Sequence, residues 1–246
     1  PTPYGTVDLL PVEAPQDVMD RYKAMIFLGW NSYDANDFLR IRDFVFKGGT
    51  LLLTAAHLNE ELQPDQPVRF PADDAVIREM LGENYRQLTA KTEIAYGLGK
   101  IVYFPQKNYP VEATLKADYV AAMKEIAAKT VAEEADKGWM EAAPSVGFTV
   151  WDSSDRRTVY LLNADWASEQ EQHPATFVYK GQKFPVAVRR YHIETIHCAD
   201  GLAVMPASNT TDILSVSRKR NGWTVMVQTT GSDVVQCMNA ITGKVE

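Results

Sequence analysis

The sequence predicts an α/β domain followed by an all-β domain, and three observations carry that expectation. In the first half, apolar runs alternate with amphipathic stretches at the spacing of strand-helix-strand units, the pattern of a parallel sheet with right-handed crossovers. In the second half the period shortens to alternating strands separated by turn pairs such as Lys180-Gly181 and Asp200-Gly201, with no helical run between them. A length of 246 residues suits two domains of ordinary size, each able to bury its own core. The expected division is 1–140 for the α/β domain and 145–246 for an antiparallel β-sandwich.

Taken in order, Val7 to Glu13 (VDLLPVE) reads as the first extended segment, and Pro15 to Tyr22 as a short helix whose early proline sits where a missing amide proton is harmless. Ala24 to Trp30 (AMIFLGW) is a continuous apolar run, as in a strand covered on both faces. The next helix has Asp34 or Asn36 as its cap, Phe38, Ile41, Phe44 and Val45 along one stripe, and Gly48-Gly49 as its stop. TLLLTA, from Thr50, is the third strand. The proline-spaced loop 62–74 has the length of one that carries function or wraps a neighbour, and a short helix from Asp73 to Leu81 ends at Gly82. Glu93 to Gln106 reads as two strands joined at Gly97-Leu98-Gly99; this G-x-G precedes a strand, not a helix, so it is no dinucleotide fingerprint. From Val111 to Gly138 the chain is helical, with Leu115, Tyr119, Met123 and Ile126 recurring on one side, as one helix or as two broken at Thr130 and Val131.

The second half gives two strands in Gly147 to Asp165, three or four in Ala175 to Pro206, and a hairpin in Thr211 to Gly231 with Asn221-Gly222 near its tip. The basic run Arg218-Lys219-Arg220 belongs to that solvated tip. With 32 acidic against 25 basic residues and a net charge of -7, the chain lacks the broad cationic footprint that nucleic acid or an anionic membrane requires. No stretch approaches the roughly 20 apolar residues of a membrane span. The start at Pro-Thr-Pro, without a methionine or an apolar leader, gives the expectation of a piece of something longer. Cys198 and Cys237 leave one disulfide open and decide no redox compartment.

Open α/β sheets place ligands at the ends of their strands, and here that position holds Thr54, Ala55, Ala56 and His57. Thr54 as nucleophile, His57 as base and Glu60 as orienter form one reading; no nucleophile-elbow motif surrounds them. The reading preferred from sequence is structural, with Thr54 finishing the strand and His57 at the surface of a loop. His57 with Glu60 and Glu61 lacks the further clustered ligands of a strong metal site. On a strand, His192, Glu194, Ile196 and Cys198 share one face, either as a ligand set or as an edge strand with Cys198 packed inward. Asp34, Asp37 and Asp165 read as caps and turn formers, since a glycosidase pair needs a fixed separation across a sugar. Trp30, Tyr33, Trp151 and Trp166 lie near strand ends; such rings stack on apolar sugar faces, and they also fill cores and interfaces. The candidate ligand-binding residues are therefore Trp30, Asn31, Tyr33, Asp34 and His57. No catalytic residue, metal ligand or cofactor is assigned.

Residues 21–59, RYKAMIFLGWNSYDANDFLRIRDFVFKGGTLLLTAAHLN, resemble the class I glutamine amidotransferase-like fold as used in non-catalytic trimerisation domains of bacterial β-galactosidases. RTVYLLNADW, FVYKGQKFPVAVRRYHIETI and DGLAVMP resemble the small C-terminal β-sandwich of many glycoside hydrolases. The resemblance implies a flavodoxin-like (amidotransferase-like) parallel sheet with helices on both faces, then a sandwich, together forming the non-catalytic accessory or oligomerisation region of a secreted or periplasmic glycoside hydrolase. Implied partners are a catalytic domain on the N-terminal side, further copies of the chain, and carbohydrate; nucleic acid and membrane are not among them. Catalytic amidotransferases carry a nucleophilic cysteine after the strand that follows this unit, and no cysteine occurs before Cys198, so none of that triad is carried over. A free-standing hydrolase with an acidic site at the strand ends and a carbohydrate-binding module both stay open.

Overall fold

The computed structural model describes residues 2–61, 66–111, 113–141 and 143–245. Part of the proline-spaced loop, 62–65, lies outside them. The chain is β-rich, with few helices and several antiparallel sheets, and divides into two compact units: Leu9–Ile126, and Pro1–Asp8 together with Ala127–Glu246.

The first unit runs α1 (Gln16–Met19), β1 (Ala24–Ile26), α2 (Ala35–Phe46), β2 (Thr50–Thr54), α3 (Ala75–Leu81), β3 (Thr92–Tyr96), β4 (Gly99–Phe104) and the part of α4 (Ala113–Glu134) up to Ile126. Its sheet has the order β1-β2-β4-β3; β1, β2 and β4 are parallel, and β3 returns antiparallel to β4. The alternation of side chains along a strand divides the core in two. Leu51, Leu53, Ile101 and Tyr103 pack with Phe38, Ile41 and Val45 of α2 and with Ile77 and Met80 of α3. Leu52, Val102 and Phe104 pack with Leu115, Tyr119 and Ala122 of α4. Each such fully buried side chain stabilises the unit by roughly 1.5–3 kcal/mol. Helix α2 begins where the sequence placed it: Asp34 Oδ1 accepts from the amides of Asn36 at 2.8 Å and Asp37 at 3.2 Å, and Gly48, at φ 119°, turns the chain out. A Cβ on Gly99 would lie 2.2 Å from the carbonyl oxygens of Val45 and Gly49, so the β3-β4 turn needs glycine to pass the end of α2.

Two expectations for this unit are corrected. Val7 to Glu13 forms no strand: Leu9 is almost wholly exposed, and Pro11 cannot donate to a ladder. The AMIFLGW run supplies only the three residues of β1 at the sheet edge, although the Phe27 amide still donates to the Leu52 carbonyl at 3.0 Å beyond its end. Of the two alternatives for the long helix, α4 is unbroken through Thr130 and Val131.

The second unit holds β5 (Trp139–Met140), β6 (Val146–Asp152), β7 (Arg157–Asn163), β8 (Gln172–Tyr179), β9 (Gln182–Arg189), β10 (Ile193–Ala199), β11 (Leu202–Pro206), β12 (Thr211–Lys219), β13 (Gly222–Thr229), β14 (Val235–Asn239) and β15 (Lys244–Val245). They form antiparallel sheets ordered β15-β14-β11-β10-β7-β6, β5-β8-β9 and β12-β13. Phe148, Leu161, Ile196 and Met238 of the first sheet share a core with Phe177, Phe184 and Val188 of the second. On the other face of the first sheet, Leu202 and Val204 pack with Ile213 and Val216 of the hairpin. Lys180, Gly181, Asp200 and Gly201 all have positive φ (47°, 74°, 50° and 88°), the left-handed pairs that two-residue hairpins demand. The β12-β13 loop is Arg220-Asn221, because Gly222 already pairs with Lys219, and the basic run around it is exposed as expected. Strand β10 is not an edge strand: it lies between β7 and β11. Glu194 is consequently buried, with both carboxylate oxygens held by Arg189 at 2.6 and 2.9 Å.

Candidate functional site

At the end of β2, Thr54 leads into a single 3-10 turn, Ala55–Leu58, that carries His57. The surface position expected for His57 is corrected: its ring has no exposed area, and neither has Thr54. The ring lies 5.2 Å from that of Phe27 and 5.5 Å from that of Tyr109. The Thr54 amide donates to His57 Nδ1 at 2.9 Å, closing a capping box in which histidine takes the place usual for Glu or Gln. Nδ1 is therefore an acceptor and the ring proton sits on Nε2. Thr54 Oγ1 is 3.1 Å from the same nitrogen, whose lone pair is already engaged by the amide. Burial pushes the imidazole pKa down to about 4, against an opposing pull from the backbone of Gly29 and Thr54. A base so weak, facing a hydroxyl sealed from water, does not activate it for attack on a substrate. Glu60 bonds Arg69 at 2.5 Å and does not orient the ring. The sequence thus named two groups that do meet, and the fold makes them a clasp.

The segment above this clasp opens outward. Asn31 Nδ2 donates to the carbonyls of Ser32 at 3.0 Å and His57 at 3.5 Å, and the Tyr33 amide donates to the Asn59 carbonyl at 2.6 Å. Tyr33 lies tilted against Phe38, ring centroids 4.9 Å apart, and burial, then the charges of Asp73, Asp74 and Asp34, raise its phenol pKa. These contacts fix a groove of about 540 Å³ at the start of α2, lined by Glu13, Trp30, Asn31, Asp34, Asn36 and Asp37 among others. Trp30 is 45% exposed, which makes its ring face available to a ligand. Asp37 bonds Arg40, yet its carboxyl pKa is raised, chiefly by burial, with Asp34 and Glu13 adding to the effect.

Of the five sequence candidates, Trp30, Asn31 and Asp34 line the groove, while Tyr33 and His57 support it from beneath. Val12, Glu13, Ser32, Asn36 and Asp37 line the groove too and were not among the candidates; Asn36 and Asp37 read as cap and turn formers, and nothing in the local sequence of Glu13 places it beside α2. Trp151 and Trp166 are exposed in the other unit. In the second unit, Cys198 is a buried thiol in the main core, raised in pKa by that burial, while Cys237 packs with the hairpin cluster on the opposite face of the sheet. His192 lies in the turn before β10, apart from Glu194 and Cys198, so the strand-face ligand set does not form. Among the described residues no group of three or more His, Cys, Asp or Glu is placed to hold a metal ion, and no helix is long and apolar enough to cross a membrane.

No protein-family model and no curated protein matches the chain. Solved structures do. A cold-adapted β-galactosidase from Rahnella sp. R3 is similar at 14% identity and a TM-score of 0.49, over 79% of this chain and 34% of that one. A catalytic mutant of a GH42 β-galactosidase from G. stearothermophilus is similar at 14% identity and a TM-score of 0.43, over 74% of this chain and 32% of that one. A GH42 exo-carrageenase from Bacteroides ovatus gives 13%, a TM-score of 0.33, and 76% and 24% coverage. The chain spans about a third of the length of the two β-galactosidases.

Proposed function

We propose that this chain is a non-catalytic accessory region of a glycoside-hydrolase-like protein, with a flavodoxin-like, amidotransferase-like first domain, a sandwich second domain, and a carbohydrate-contacting groove at Trp30, Asn31 and Asp34. Its role is to brace or oligomerise a catalytic domain on its N-terminal side, in a secreted or periplasmic setting. One observation carries the reading. The strand-end position that chemistry favours is sealed, while an exposed tryptophan and the polar side chains of Asn31 and Asp34 line an open groove beside it. An open aromatic flanked by hydrogen-bonding groups suits a sugar, which presents an apolar face and a rim of hydroxyls.

The test is direct. Incubated with a chromogenic β-galactoside or with glutamine, the chain is expected to give no turnover; titrated with a galacto-oligosaccharide, it is expected to bind, and Trp30→Ala to remove the binding. A free-standing hydrolase is the second reading, favoured by Asp34 and Asp37 sharing one groove with the Asp37 carboxyl raised. Turnover that disappears in Asp34→Asn or Asp37→Asn would establish it in place of the first.

A further inference from the structure

We infer that the groove selects its ligand by charge, taking neutral or amino-bearing glycans and rejecting sulfated or uronic ones. This rests on the carbohydrate reading above. Three carboxylates, Glu13, Asp34 and Asp37, line the groove, and among the described residues no lysine or arginine does. The nearby cation, Arg40, is committed to Asp37. Beside those charges the lining carries both acceptors and donors, the donors being side chains of Trp30, Ser32 and Asn36. Asp34 uses Oδ1 on the amides of Asn36 and Asp37, which leaves Oδ2; Asn31 spends Nδ2 on the Ser32 and His57 carbonyls, which leaves its amide oxygen. Sugar hydroxyls, which donate and accept, match such a lining, and an ammonium adds donors whose charge is opposite to that of the carboxylates. A sulfate or uronate brings a charge of the same sign as the carboxylates and is repelled by them. The carboxylates already influence one another, since Asp34 and Glu13 both act to raise Asp37.

Isothermal titration calorimetry of the chain with β-galactobiose, its O-sulfated form and its 2-amino form tests the inference. At about 10 mM salt the sulfated sugar is expected to bind at least about tenfold more weakly than the neutral one, and the gap to narrow at about 200 mM as the charges are screened. The amino sugar is expected to bind at least as well as the neutral one. In Asp34→Asn combined with Glu13→Gln the gap between sulfated and neutral sugars should shrink, whereas Trp30→Ala should weaken all three together. Equal affinity for sulfated and neutral sugars, both lost in Trp30→Ala, overturns charge selection and leaves the carbohydrate reading intact. Heat from none of the three overturns the reading and the inference with it.

Discussion

Two regions at one end of the parallel strands contain comparable polar chemistry and use it oppositely. At Thr54 and His57 a hydroxyl and an imidazole lie 3.1 Å apart, with no exposed surface on either residue. At Trp30 to Asp37 a ring, two amides and two carboxylates line an open groove. The difference teaches that residue type and proximity do not make a site. A site also needs access to solvent and a matched pKa, and the first region lacks both while its hydrogen bonds fasten the strand end.

The sharpest way to break this comparison is His57→Ala. It removes a ring packed between Phe27 and Tyr109 and strips the Thr54 amide of its acceptor. A loss of about 3–5 kcal/mol in urea unfolding is expected, and a loss below about 1 kcal/mol would mean that the clasp does not hold the fold.

Next in size is a pH effect. The folded pKa of His57, about 4, lies below its ordinary 6.5, so as pH falls the unfolded chain takes up the proton first. The stability contributed by the neutral ring is complete above pH 6.5 and drains away between about 6.5 and 4, by up to on the order of 3 kcal/mol. Unfolding midpoints at pH 7.5, 5.5 and 4.5 should show this slope in the wild type and a shallower one in His57→Gln; parallel slopes would count against a buried neutral imidazole.

Smaller effects sharpen the other side of the comparison. Asp34→Ala loses the α2 cap and is expected to lower stability by about 1 kcal/mol, while Asp34→Asn, which caps as well, changes it little. Trp30→Ala is expected to change stability least, within about 0.5 kcal/mol, because the residue is already exposed. A large loss of stability there would make Trp30 a core residue and not a binding surface.

The legible parts of the sequence were those fixed by local chemistry. Helix α2 announced itself through Asp34, the Phe38-Ile41-Phe44-Val45 stripe and Gly48, each acting within a turn or two. The Lys180-Gly181 and Asp200-Gly201 hairpins were legible because few residues accept positive φ. What escaped depended on distant partners. Val7 to Glu13 looks like a strand in isolation, and a strand exists only where another offers it a ladder. His57 is buried by Tyr109, which lies far along the chain, and by Phe27 across β2; no local pattern foretold that cover. Strand β10 looked like an edge because of Glu194, yet the compensating Arg189 stood just five residues earlier and was a readable signal. Pro185 and Lys183 belong to β9, which pairs with β8 alone among the described residues, and these are residue types that discourage further strand addition at an edge.

The most direct test of the central claim is a two-dimensional NMR titration of the chain with β-galactobiose, following the Trp30 indole, the Asn31 side-chain amide and the His57 ring. The account expects saturable shifts at Trp30 and Asn31, a His57 ring that stays neutral and protected from exchange, and no product. A substrate-dependent change in the His57 protonation state accompanied by released galactose would contradict it.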